Sequence, residues 1–265
     1  MTQLPVLVDV DSANLDTLPC CGVTNLAHEG RRQKTCWLKT NFKKGVGAKV
    51  LIAPDGKQAG YLEYMPGELA MRGVDAAGYL FIQCVFTYRR KYQHQGLARD
   101  MVQACMDTAR RQGLNGVAAL TREQPWMAGA SLFVKCGFKP VASAPPDYQL
   151  LVRKLRPSAP DPAILRGWDK KLKRYAKGLT IIRSPQCPYV AKFADEIAAS
   201  AKAEYGLTPR VVEIKTPSQA REAPTPYAIF AIIYNGRVLA DHPISRTRFR
   251  NIMRKIDPNA LFTSL

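Results

Sequence analysis

Between residues 78 and 88 the chain reads Gly-Tyr-Leu-Phe-Ile-Gln-Cys-Val-Phe-Thr-Tyr. These residues are nearly all apolar, aromatic or β-branched, which predicts a strand buried on both faces. From Leu97 the period changes: Leu97, Met101, Val102, Cys105 and Ala109 recur at helical spacing up to Gly113, and a second apolar run, Leu114 to Thr121, follows. The predicted order is strand, glycine-containing turn, helix, strand. Upstream, Gly60-Tyr61-Leu62-Glu63-Tyr64 reads as a further strand. Past residue 178 a shorter alternation begins: strand 179–183, helix about 189–204, strand 210–215, a short polar helix, strand 227–234, strand 237–240 and helix 246–256. Asn235-Gly236 between the last two strands is a strong short-range hairpin signal.

The two alternations are separated by Arg153-Lys154-Leu155-Arg156-Pro157-Ser158-Ala159-Pro160-Asp161-Pro162, where prolines and charges predict an exposed connector. The expected organisation is a first domain over 1–155, a linker and connecting helix over 156–177, and a smaller domain over 178–265. A length of 265 residues suits two modest domains, and 46% hydrophobic with 23% charged residues suits packed cores.

Charge adds a possible partner class. Lys and Arg number 39 against 21 acidic residues, a formal excess of +18, which attracts anions and nucleic acid. The excess is scattered over Arg31-Arg32-Gln33-Lys34, Arg89-Arg90-Lys91, Lys170 to Arg174 and Arg246 to Arg250. It therefore reads as solvated surface, and nucleic acid is not the favoured partner. No leader pattern and no apolar run long enough to span a bilayer is seen, so a cytoplasmic location and no membrane association are expected. Seven scattered cysteines suit reduced thiols.

The turn before the helix carries the first chemistry. A helix start offers unpaired amides and the positive end of the helix dipole, and Gly96 and Ala98 would let an anion approach the backbone. Gln93-His94-Gln95-Gly96-Leu97-Ala98 resembles the Q/R-x-x-G-x-G/A signature of the GNAT N-acyltransferase superfamily. The strand 114–121 after the helix, and Ala130-Ser131-Leu132-Phe133-Val134-Lys135-Cys136-Gly137-Phe138, which resembles the superfamily's L-Y-x-K-x-G-F segment, extend the likeness to roughly residues 5–155. The resemblance implies an α/β GNAT fold, a central mixed sheet with flanking helices. It also implies acetyl-CoA as cofactor, bound by Phe86, Thr87 and Tyr88 of the strand and by Gln93, His94, Gln95, Gly96, Leu97 and Ala98 of the turn.

The same resemblance implies direct attack of a neutral amine on the thioester, with a general base and an acid for the leaving thiolate. Glu63 on its strand is the first candidate for the base; Glu68, Glu123 and the mid-strand Cys84 are alternatives. The tyrosine that often serves as acid is replaced here by Phe133, leaving Tyr88, Tyr92, Tyr148 and Cys136 as candidates. The acceptor is expected to be an amine of a small molecule or peptide.

Two cysteine groups remain. Pro19-Cys20-Cys21-Gly22 with His28 and Cys36 lacks the paired spacing of zinc knuckles, so no metal site is expected. Thiols there could instead lie in a substrate pocket. Ser184-Pro185-Gln186-Cys187-Pro188-Tyr189-Val190 resembles the glutaredoxin C-P-Y-C turn with Val190 in place of the second cysteine. Cys187 would then sit at a helix N-terminus, which lowers a thiol pKa. Ala223-Pro224-Thr225-Pro226-Tyr227 is similar to the threonine and cis-proline that pack against that cysteine in thioredoxin-like proteins, with Pro226 opening a strand.

With Trp37-Leu38-Lys39, Glu63-Tyr64-Met65-Pro66 and Tyr234-Asn235-Gly236, these motifs resemble the bacterial YoaP-like acetyltransferase family, a GNAT domain followed by a smaller thioredoxin-like α/β domain. The expected function is acetyl-CoA-dependent N-acetyl transfer, with Glu63, Cys84 and Cys187 as candidate catalytic residues. The alternative is a thiol-redox or thiol-binding adaptor that uses Cys187 beside a non-catalytic CoA-binding domain.

Overall fold

The computed structural model of the protein describes residues 4–19, 21–88, 92–93 and 95–256. Its first unit runs β1 (Val6–Val10), α1 (Glu29–Phe42), β2 (Gly47–Ile52), β3 (Gln58–Pro66), β4 (Val74–Asp75), β5 (Leu80–Thr87), α2 (Leu97–Arg111), β6 (Gly116–Thr121), α3 (Ala130–Lys135), β7 (Lys139–Ala144) and β8 (Tyr148–Lys154). Seven of these strands form one sheet in the order β1-β2-β3-β5-β6-β8-β7, antiparallel throughout except for the parallel pair β5–β6.

The alternation in β5 explains which face meets what. Leu80, Ile82 and Val85 pack with Met101, Val102, Cys105 and Ala109 of α2, the positions that the helical spacing selects. Phe81, Cys84 and Phe86 face a second core. A register shift breaks the β3–β5 ladder: Glu63 pairs with Cys84 and Tyr64 with Ile82, so Gln83 is the extra residue of a bulge. A bulge breaks the two-residue side-chain alternation. Here it turns Gln83 and Cys84 to the same side, away from α2.

The second unit begins with β9 (Ala163–Ile164), which pairs with β4, and α4 (Trp168–Leu172). It continues as β10 (Leu179–Arg183), α5 (Val190–Tyr205), β11 (Arg210–Glu213), α6 (Pro217–Arg221), β12 (Ala231–Tyr234), β13 (Arg237–Ala240) and α7 (Arg246–Ile256). The sheet order is β11-β10-β12-β13, with β10–β11 parallel and the other pairs antiparallel. Asn235 (φ 47°) and Gly236 (φ 76°) make the tight turn that the Asn-Gly pair predicts. Two expectations are corrected. The Thr225–Pro226 bond is trans, since among the described residues the cis peptide bond is Pro145–Pro146. The strand expected to open at Pro226 starts only at Ala231.

The connector does not leave the units apart. Tyr79 donates to the Pro160 carbonyl at 2.8 Å, and a single apolar core runs from Val50 and Tyr61 of the first sheet to Ile181, Ile232 and Met253 of the second unit. Gly30 shows how closely they meet: a Cβ there would lie 1.8 Å from the Pro188 carbonyl oxygen. Only glycine allows α1 to sit against the 184–189 loop at that distance. Arg31 and Lys34, which read as surface charge in the sequence, are 1% and 0% exposed. Arg31 donates to the Leu15 and Leu18 carbonyls at 2.6 and 2.7 Å. No helix among the described residues is long and apolar enough to cross a membrane.

Candidate active site

The parallel pairing of β5 with β6 runs only from Leu80–Val117 to Ile82–Ala119, and the strands part beyond the bulge. Past that point β5 has no β6 residue beside it. A cavity of about 560 Å³ fills the opening, within the size range of small-molecule sites. Phe86, Thr87 and Tyr88 of β5 and its end line it, as does Ala98 in the first turn of α2.

At the N-cap of α2, Gly96 has φ +80°, a conformation that L side chains resist. Nothing lies within 4 Å of a Cβ placed there, so glycine is required by backbone conformation, and the space beside it is open. The first ladder bond of α2 is Asp100 N–H to the Gly96 carbonyl at 3.0 Å, which leaves the amides of 97–99 without partners inside the helix. Leu97 is buried in a small cluster with Tyr92. Gln93 and Gln95 lie in the turn; His94, Arg89, Arg90 and Lys91, together with Cys20, fall outside the described residues.

The opposite wall brings together parts from both units. The bulge supplies Gln83 and Cys84, the segment after β1 supplies Cys21, and the 184–189 loop supplies Gln186, Cys187 and Tyr189. Behind them lies Glu63, 0% exposed and outside the cavity wall. Its carboxylate accepts from Lys34 Nζ, from Tyr61 Oη at 2.6 Å and from Gln186 Nε2 at 2.8 Å. Lys34 also sits 4.5 Å from the centroid of the Trp37 ring. Both ions are buried and paired, the condition under which a buried charge is tolerated. The alternative carboxylates hold backbone: Glu68 accepts from Gly78 N–H and Glu123 from Ala130 N–H, both at 2.8 Å.

Of the four acid candidates, Tyr88 lines the cavity. Tyr92 is in the small cluster, Cys136 packs with the α2 core, and Tyr148 donates to Asp241 Oδ2 at 2.7 Å on another face. The hydroxyls of Tyr88 and Tyr189 approach over Gly22, where a Cβ would lie 2.0 and 2.7 Å from them. Burial, foremost, holds the Tyr88 phenol far above its ordinary pKa of 10 and pushes that of Tyr189 up to about 12. Both stay protonated as donors. Phe133 also borders the cavity, and its ring packs edge-on against Phe138.

Cys187 departs from expectation. It lies three residues before Val190, the first residue of α5, and burial pushes its thiol up to about 11 despite a backbone hydrogen bond from Tyr189 that favours the thiolate. Desolvation outweighs the helix terminus here.

Lys34, Gln186, Arg72 and Tyr61 are missing from the residues that sequence singles out. Arg72 is 4% exposed, donates to the Tyr227 carbonyl at 2.9 Å and stacks 4.3 Å over the Tyr227 ring. One signal was available: Lys34 shares a helical face with Trp37 and Leu38, and a charge at a core position calls for a buried partner.

Residues 19–138 match the acetyltransferase (GNAT) family and residues 210–251 match a family described as YoaP-like. Similar solved structures include a GNAT-family acetyltransferase from Staphylococcus aureus Mu50 (10% identity, 57% of this chain, 99% of that one, TM-score 0.43). Escherichia coli YhbS in complex with CoA is 16% identical over 56% of this chain and 81% of that one, TM-score 0.37. The yncA protein of Salmonella typhimurium with acetyl-CoA is 18% identical over 60% and 99%, TM-score 0.44. Comparison with curated proteins gave no match. The class is acyltransferase. The first unit thus carries a GNAT-type acetyltransferase domain over residues 19–138, and the second a YoaP-like segment over 210–251.

Proposed function

We propose that the protein transfers an acetyl group from acetyl-CoA to an amine of a small molecule or peptide, in the cavity between the parted strands. The observation that carries this reading is the joining, in one cavity, of the open first turn of α2 with the β5 edge that β6 leaves unpaired. The residues suit the cofactor: the α2 amides at 97–99 and the open side of Gly96 would hold pyrophosphate, and the edge 86–88 would hold the pantetheine arm. When bound, acetyl-CoA supplies the activated acetyl thioester.

The chain's own groups have separable tasks in this reading. Tyr88, kept protonated by burial, donates a hydrogen bond that stabilises charge on the leaving sulfur. Glu63 supplies fixed negative charge behind the Gln186 and Cys84 wall, which favours a cationic acceptor there. Gln186, Cys187 and Tyr189 from the second unit exclude water and shape the acceptor end. The topology of that unit, a central parallel pair extended by an antiparallel hairpin, supports a thioredoxin-like reading.

Incubation of the full chain with acetyl-CoA and an amine library, read by mass spectrometry, tests the proposal. Acetylated product with release of free CoA thiol is expected; binding of CoA with no acetyl transfer to any amine would overturn it. The second reading, a thiol adaptor, draws on Cys187 facing the cavity. It requires that Cys187→Ser abolish function, whereas acetyl transfer by the proposed route survives that change.

A further inference from the structure

Among the described residues that line the cavity there is no aspartate or glutamate, and Arg72 is the one charged side chain. It is 4% exposed. Its guanidinium donates to the Tyr227 carbonyl at 2.9 Å and to the Gln83 carbonyl at 3.4 Å, and lies 4.3 Å from the centroid of the Tyr227 ring. All of these partners are neutral, and they leave further N–H groups of the guanidinium fork unspent. Other buried cations are matched: Lys34 pairs with Glu63, and Arg122 with Asp241 and Asp147. Arg31 also rests on carbonyls, but it is not in the cavity wall. A buried charge without a counter-charge is costly, so a buried guanidinium that opens on a cavity is a place for an anion.

Arg72 is held from both sides. The Met71 amide donates to Gln83 Oε1 at 3.2 Å, and the Gly73 amide to the Pro226 carbonyl of the second unit at 3.0 Å. Beside the left-handed Ala228 (φ 62°), Tyr227 turns both its ring and its carbonyl to Arg72. Such strained backbone persists where its surroundings enforce it, often at ligand clamps. The anion is not the cofactor's pyrophosphate. Arg72 meets β5 at Gln83, four residues before Thr87 at the strand's end. That is roughly 13 Å along a strand, and the open α2 turn follows the far end.

Gln83 also connects Arg72 to the buried carboxylate: its Nε2 approaches Gln186 Oε1 at 3.5 Å, and Gln186 Nε2 donates to Glu63 at 2.8 Å. One wall thus has a positive pole at Arg72 and a negative one behind Gln186. Lys34 offsets the charge of Glu63, whereas no lining residue offsets that of Arg72. Phe86, Trp126, Tyr189 and Tyr227 place aromatic rings around the same space. We propose that Arg72 binds the carboxylate of the acceptor, and that the acceptor is a free α-amino acid with an apolar or aromatic side chain. The guanidinium fork takes the carboxylate, the ammonium faces the wall in front of Glu63, and the rings take the side chain. The inference rests on the acetyl-transfer reading for the fate of the amine, and not for its binding.

The test is calorimetric titration of the full chain, with CoA present, with L-phenylalanine, L-leucine and the carboxamide of each, followed by turnover of the same four ligands with acetyl-CoA. Acid and amide share amine and side chain, so their difference reads chiefly the carboxylate. Each acid should bind at least about tenfold more tightly than its amide. In Arg72→Gln acid and amide should bind alike, as weakly as the amide binds the unmodified chain. Absence of binding, equal binding of acid and amide by the unmodified chain, or an acid preference that persists in Arg72→Gln, as the general +18 field would give, would each overturn the subsite. Where Arg72→Gln does not fold, the unmodified chain decides at high salt: a surface field is screened away and a buried pair much less, so loss of the preference there overturns the subsite. An acid preference without any acetyl transfer would sink the transfer reading and keep the subsite; transfer to acids and amides alike would do the reverse.

Discussion

Gln186 of the second unit donates to Glu63 of the first, Nε2 to Oε1 at 2.8 Å, in a place neither water nor ligand reaches. Glu63 thereby draws donors from three places: its own strand through Tyr61, helix α1 through Lys34, and the loop beside Cys187 through Gln186. A carboxylate so placed ties the acceptor wall to the position of the second unit. It also makes Glu63 sensitive to changes far from it in sequence.

Removing one ion of the Lys34–Glu63 pair strands the other. Lys34→Met should cost about 3–5 kcal/mol, because Glu63 keeps only neutral donors in a site closed to water. The pair of changes Lys34→Met with Glu63→Gln should recover a large part of that loss, since the glutamine carries no charge to strand. Urea denaturation of both variants checks this, and equal losses would show that the pair does not act as a unit.

The contrast between the cofactor turn and the acceptor wall explains what could be read in sequence. Strand β5, the turn at Gly96 and helix α2 are local: their apolar periods and the glycine lie within some thirty consecutive residues. Strands β10 and β13 and helix α7 were legible on the same grounds. The wall is not local. Lys34 meets Glu63 across 29 residues and Gln186 meets it across 123, and no periodicity encodes such a meeting. Pattern also assigned Lys34 to solvent because its basic neighbours set the local reading. Cys187 was misjudged through a related cause: the helix terminus is visible in sequence, whereas the burial that outweighs it, against the opposing charges of Lys34 and Arg72, arises only from tertiary packing. The bulge falls at Gln83, the polar residue inside the apolar run 80–86, but a lone polar residue does not by itself encode a register shift.

Gly30 offers a test of how far the second unit's docking controls the site. In Gly30→Ala the new Cβ would overlap the Pro188 carbonyl at 1.8 Å, and a backbone neighbour cannot swing aside as a side chain does. The two elements must separate, at a cost of about 1–3 kcal/mol. Since Pro188 adjoins Cys187, acetyl transfer should fall through a higher KM for the acceptor, with the affinity for CoA little changed. Steady-state kinetics with both substrates varied reads the split.

Gly96 should behave in the opposite way. Gly96→Ala meets no steric neighbour but must hold φ near +80°, a left-handed conformation that costs about 1–2 kcal/mol for an L residue. The turn relaxes and the α2 amides lose their aim. The expected result is CoA affinity lowered by about tenfold, measured by calorimetry, with a nearly unaltered melting temperature.

Tyr88→Phe removes the proposed hydrogen-bond donor while keeping the ring that packs edge-on against Phe86 at 4.5 Å. Removing one fixed hydrogen-bond donor to developing charge costs about 100-fold or more in turnover. The turnover number should drop by that order with CoA binding preserved. An unchanged turnover number would pass the role of donor to another group.

Asp241 makes the second unit's hold on the first dependent on pH. Burial alone would raise its pKa, but hydrogen bonds with His242, Tyr148 and Arg122 outweigh that and hold it at about 2, below its ordinary 3.8. Arg122 bridges the units by pairing with Asp241 at 2.7 Å and with Asp147 beside Tyr148. A folded-state pKa below the unfolded value means that the ionised form is the one the fold favours. The stability it adds, about 2 kcal/mol, is fully present above pH 3.8 and is lost as the pH falls from there through about 2. Asp241→Asn should therefore lower stability at neutral pH by that order and flatten the decline between pH 4 and 2. Denaturation midpoints collected across this range for both proteins read the effect as two curves that converge toward acid. Parallel curves would mean that the Arg122–Asp241 bridge carries no net stabilisation.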